Sequence, residues 1–197
     1  MRRYRFLSVV LLCFLTSFSW TQAKQPKPDL RGTLSGDNNY TNPALGMTIN
    51  LPGEWSMLDM ITPTPSGPGC TGPLCGPPDI NVVLETKPGQ NQRYRLYLSG
   101  WKLSAQYLNR NRYSLDWFAG IMLEGSVSNG LVPLEKHKPV RLDGKPGFRL
   151  FMVQRGEQMP RIIGYVSEAK GFVFLLVSPT PMKPEIMQNA IEAMKLE

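Results

Sequence analysis

Histidine is nearly missing from this chain: 197 residues hold one, His137. A histidine metal cluster or a conventional nucleophile–base pair therefore has little to draw on. Cysteine is scarce too, at Cys13, Cys70 and Cys75, whereas a closed zinc site takes four ligands. The nucleophile elbow, the paired histidines of a metalloprotease helix and the dinucleotide glycine pattern do not occur. Gly144-Lys145 lacks both the upstream glycine and the following Ser or Thr of a phosphate loop. Glu54, Asp59, Asp116 and Glu124 fall in separate segments, and no spacing brings two carboxylates together for general acid–base work. Acidic residues are absent before Asp29, and after the first 18 residues no stretch is apolar and long enough to cross a bilayer.

What is present points to a packed domain. Apolar residues make up 42% of the chain and aromatics 10%, enough to bury a core, while 18 Gly and 18 Pro imply many turns rather than a helical bundle. The length suits one domain. Arg2, Arg3 and Arg5 precede an uncharged run from Phe6 to Phe18, shorter than the roughly 20 residues of a spanning helix. Thr21 and Ala23 then put small residues three before and one before a cut after Ala23. Residues 1–23 are expected to be a secretory signal peptide. Leu12 does not suit lipidation of Cys13, and the twin-arginine spacing is off by one. Without this leader the net charge falls from +7 to +4, a balance that does not predict nucleic-acid binding.

Loss of the leader would leave Cys70 and Cys75 in the Pro/Gly-rich loop 61–79. An even number of thiols outside the cytoplasm suggests a structural disulfide, worth roughly 2 kcal/mol for so short a loop. The alternatives are a redox pair, which normally has two intervening residues at a helix start, and half of a zinc site.

Residues 24–38, rich in Pro, Gly and polar side chains, are expected to form a flexible tether, and 39–197 a single domain. Alternation predicts strands at Met47–Leu51, Ile80–Thr86 and Tyr94–Leu98. Ser114 caps a predicted helix with Leu115, Phe118, Ile121 and Met122 on one face, and residues 100–113 read as either strand end or short helix. Lys138–Leu142 and Gly147–Val153 flank the hairpin signal Asp143-Gly144. Arg161–Val166 and Gly171–Val177 form a second pair around Glu168-Ala-Lys170, and the last strand, apolar on both faces, is expected at the centre. A closing helix starts near Glu185 and buries Ile186, Ala190, Ile191 and Met194. The class is α+β, an antiparallel β-sheet covered by helices.

Three segments, in this order, carry a resemblance. Tyr40-Thr-Asn-Pro-Ala-Leu-Gly-Met-Thr-Ile-Asn-Leu-Pro-Gly-Glu-Trp55 is an opening strand that runs into Pro, Gly and Trp. Leu142-Asp-Gly-Lys-Pro-Gly-Phe-Arg149 is a mid-domain hairpin, and Gly164-Tyr-Val through Val177 precedes the last helix. Over residues 38–197, the Cys loop apart, the chain resembles the PsbP-like family of α/β/α sandwiches, which includes an extrinsic photosystem subunit, a Ran-binding nuclear factor and bacterial envelope proteins. That resemblance implies a binding or assembly module with no shared catalytic residue set, so it carries no site onto these residues.

For function, His137 in Leu134-Glu-Lys-His-Lys138 reads as a solvated surface residue. The strongest binding signal is 93–112, with five basic and no acidic residues among aromatics. Arg93, Arg95, Tyr97, Lys102, Arg110 and Arg112 are its candidate contacts, against the plainer reading of a solvated strand edge guarded by cations. The expectation is a secreted or periplasmic, non-catalytic binding module whose partner is an envelope protein or an anionic envelope ligand, without nucleic acid, cofactor or metal. The alternative is an envelope hydrolase or thiol-redox factor.

Overall fold

The computed structural model describes residues 29–59, 72–74, 76–90, 92–109, 111–127, 130–157, 162–179 and 182–197. The expected leader over 1–23, residues 24–28 of the expected tether, Cys70, Cys75 and Arg110 lie outside them. Twelve strands and two helices are described: β1 (Thr33–Leu34), β2 (Asn39–Asn42), β3 (Met47–Asn50), β4 (Trp55–Asp59), β5 (Ile80–Thr86), β6 (Arg95–Lys102), α1 (Leu115–Val127), β7 (Leu131–Pro133), β8 (Lys138–Leu142), β9 (Lys145–Gln154), β10 (Ile162–Ala169), β11 (Phe172–Pro179), α2 (Pro184–Glu192) and β12 (Met194–Leu196).

All described strand pairs are antiparallel. The larger sheet runs β4-β5-β6-β11-β10-β9-β7, with β8 also on β9, and the smaller runs β1-β2-β3-β12. β11 takes the central place because it can bury both faces. Phe172, Phe174 and Leu176 enter the core shared with the small sheet and α2, while Val173 and the half-buried Leu175 join the core under α1. The large sheet is thus the middle layer of an α+β sandwich, with α1 on one face and the small sheet and α2 on the other.

Turn chemistry fixes the register of the two long hairpins. Asp143 and Gly144 have φ of 50° and 77°, and Lys170 and Gly171 have 47° and 79°. Both pairs are two-residue turns with two left-handed residues, which match the twist of the flanking strands. The second turn therefore sits at Lys170-Gly171, just beyond the predicted Glu168–Lys170.

The tether expected over 24–38 is corrected for its described part. Buried Asn42 donates from Nδ2 to the Leu30 carbonyl (2.9 Å) and accepts from the Leu45 amide (3.2 Å). The Tyr40 hydroxyl donates to the Arg31 carbonyl, and β1 pairs with β2. At Gly32 the chain passes so close that a Cβ would meet the Thr41 carbonyl oxygen at 2.4 Å, with φ at +79°. Only glycine fits there.

The closing helix is also corrected. It buries Met187, Ala190 and Ile191, whereas Met194 belongs to β12, opposite Ile49 on β3. The Ala193 amide donates to the Asn189 carbonyl and ends the helix, after which Met194-Lys-Leu196 alternates buried, exposed, buried. Three residues are too few for that alternation to announce a strand. In α1 the buried set is Phe118, Ala119 and Leu123, so the face is rotated from the predicted one, and Leu115 and Ile121 are half-buried. Small Ala119 lets the helix approach the sheet.

Candidate functional site

Strand alternation distributes the expected contact residues. Arg95 and Tyr97, two apart on β6, share the α1 side of the sheet. Lys102 falls on the other side, where it pairs with Phe172 and lines an open cavity of about 610 Å³ with Asp29, Arg31, Pro77 and Asp79. Arg95, Tyr97 and Lys102 therefore do not form one continuous patch, because a strand sends odd and even positions to opposite faces.

The charge of Arg95 is answered from the neighbouring strand. Glu85 on β5 stands directly opposite Arg95, and Arg95 Nε donates to Glu85 Oε1 at 2.9 Å. This bond, followed by one to Tyr97, raises the guanidinium pKa further above its ordinary value. The Lys102 amide donates to Asp79 Oδ2 at 2.8 Å. Arg93 is exposed.

Past β6 the chain makes a 3-10 turn over Ala105–Leu108, so the ambiguous 100–113 stretch is strand end and then turn. The Ser114 hydroxyl accepts from the Trp117 amide at 3.2 Å, the expected cap of α1. This cap brings three rings together. Tyr107 and Tyr113 meet edge-on at 4.8 Å, Tyr113 and Trp117 lie 4.8 Å apart, and Tyr107 stacks on Trp117 at 6.2 Å. The Arg112 guanidinium sits 5.4 Å from the Tyr113 ring centre. Tyr107 and Tyr113 lean on the core beneath α1, while Leu108 (45% exposed) and Trp117 (36%) face outward. Of the five expected contacts among the described residues, only Arg112 belongs to this cluster. The 1–4 spacing of Tyr113 and Trp117 across a Ser cap was the signal that could have revealed it.

His137 is not a solvated surface residue. It is 16% exposed, its Nε2 lies 2.7 Å from Asp116 Oδ1 at the start of α1, and its ring meets Phe148 edge-on at 5.0 Å. The carboxylate can only accept, so Nε2 donates. The imidazole ties the 134–137 segment to the helix. Among the described residues no group of three or more His, Cys, Asp or Glu is placed to hold a metal ion, and no helix is long and apolar enough to cross a membrane.

No protein-family model and no curated protein sequence matches the chain. Among solved structures it is similar to the solution structure of cyanobacterial PsbP (CyanoP) from Synechocystis sp. PCC 6803, with a TM-score of 0.52 and 10% identity over 84% of this chain and 98% of that one. A crystal structure from Bacteroides thetaiotaomicron VPI-5482 matches with a TM-score of 0.36 and 10% identity, over 81% of this chain and 48% of the other. The fold is PsbP-like, as the three sequence segments implied.

Proposed function

We propose that the protein is a secreted or periplasmic binding module that performs no catalysis and recognises a protein of the cell envelope. The observation that carries this reading is the cluster in which exposed Leu108, Arg112 and Trp117 stand beside the half-buried Tyr107 and Tyr113. Trp, Tyr and Arg dominate the energetics of protein interfaces: Trp and Tyr bury large area with few rotatable bonds, and Arg adds a planar, charged fork of donors. Here the rings brace one another before any partner arrives, which lowers the entropy lost on docking. The capped start of α1 holds them on a rigid element. The leader over 1–23 supplies the compartment, and a Cys70–Cys75 disulfide would secure the long loop there.

The test is co-purification from the native envelope after mild cross-linking, comparing wild type with Trp117→Ala and with Arg112→Glu. The reading expects one stoichiometric protein partner with wild type, reduced at least about tenfold by each substitution. Charge reversal at Arg95, whose charge Glu85 already answers, should have a smaller effect. Equal capture by all variants would remove the aromatic cluster as the contact surface. Replacing Cys70 and Cys75 by Ser should lower stability by roughly 2 kcal/mol and leave capture intact. Loss of a thiol-exchange activity in that variant would instead support the redox alternative.

A further inference from the structure

On the opposite face of the large sheet from the aromatic cluster, β9 and β10 build a small square of side chains. Arg149 and Phe151 are two apart on β9, and the register sets Tyr165 beside Arg149 and Ile163 beside Phe151. The first turns of α2 place Pro184, Glu185, Gln188 and Asn189 against this square, leaving a cavity of about 340 Å³. That volume lies at the lower end of the range for small-molecule sites, about 300–1,000 Å³.

Arg149 is the feature that asks for a ligand. Its guanidinium lies 4.2 Å from the Phe151 ring centre, so the ring supports one face of the guanidinium. Its Nε is buried and has no hydrogen-bond partner. Glu135 Oε1 forms a long ion pair with an Arg149 terminal nitrogen at 3.8 Å, too far for a hydrogen bond, and the other Glu135 oxygen takes Lys138 Nζ at 2.6 Å. A buried donor on a cation left unpaired is costly, and native proteins rarely keep one without a use. The polar groups beside it bond one another instead. The Tyr165 hydroxyl donates to Gln188 Oε1 at 3.1 Å, and Gln188 Nε2 donates to Glu192 Oε1 at 2.8 Å.

We infer that this cavity binds a small organic monocarboxylate with an apolar body, anchored by Arg149. A carboxylate matches the planar guanidinium fork of Arg149 with two parallel bonds. Glu185 in the wall repels a second negative charge, which disfavours phosphate and dicarboxylates. Phe151, Ile163 and Pro184 supply apolar surface for an alkyl or aryl group.

Titration of the full protein with hexanoate, followed through the Arg149 Nε–H resonance and the Ile163 methyls, tests the site. Both signals should shift saturably with a Kd of about 1 mM or tighter. Hexan-1-ol, with the same body and no charge, and inorganic phosphate should shift neither. Arg149→Gln should weaken hexanoate at least about tenfold. Glu185→Gln, a change on an exposed helical turn that spares folding, should tighten it about twofold. An absence of saturable hexanoate shifts, equal binding of hexan-1-ol, or preferential binding of phosphate would each overturn the inference. Unchanged affinity in Glu185→Gln would overturn the charge argument even if Arg149→Gln failed to fold.

Discussion

Arg31 illustrates how single residues hold the start of the domain. Its guanidinium bonds Asp29 at 2.7 Å and Asp59 on β4 at 2.6 Å, so one exposed side chain joins the incoming chain to the edge of the large sheet. Its side-chain bond, followed by its amide, holds the Asp29 carboxyl at about 2, below the ordinary 3.8. A depressed carboxylate contributes stability that is fully present above 3.8 and lost as pH falls through about 2. NMR titration of the Asp29 carboxyl carbon should therefore give a midpoint near 2, returning towards 3.8 in Arg31→Gln. A wild-type midpoint at 3.8 would mean that the fork is not closed in solution. The Asp116–His137 bond makes a second test at this scale. His137→Ala removes a charge-assisted bond and an aromatic edge contact, and should cost about 1–2 kcal/mol in denaturant unfolding. A change within about 0.5 kcal/mol would restore the reading of a solvated histidine.

At the scale of elements, legibility followed the length of the pattern. β5, β8, β9, β10 and β11 run five to ten residues and show their alternation, or their two-sided burial, within their own sequence. β1, β7 and β12 have two or three residues, too few to show a pattern of their own, and β7 and β12 pair with strands that are not their neighbours in sequence. β12 meets β3, more than 140 positions earlier. The Arg95–Glu85 pair escaped for the same reason, since a charge tally along one segment ignores the strand beside it. Arg149 drew no notice because an Arg on a hairpin strand normally reaches solvent. Two substitutions test the short elements. Met194 is fully buried, and Met194→Ala should cost roughly 2–5 kcal/mol. Gly32→Ala forces a methyl into the Thr41 carbonyl, and should cost more than about 2 kcal/mol while exposing the β1 and β2 amides to hydrogen exchange. Near-neutral behaviour of Met194→Ala would place residues 194–196 outside the core, and near-neutral Gly32→Ala would restore the tether.

At the scale of the whole molecule, the middle sheet separates two surfaces of different character. One side carries the braced rings beside the start of α1, with Trp117 and Leu108 facing outward. The other carries a partly open cavity beside the half-buried Arg149, sized for a small acid. This division suits a module that joins partners rather than transforms them. The most direct check is native mass spectrometry of the protein purified from its own envelope under non-reducing conditions. The account predicts a chain that begins at Lys24, is lighter by two hydrogens, and carries a protein partner that Trp117→Ala releases. A partner-free chain that begins at Met1 with free thiols would contradict both its compartment and its role.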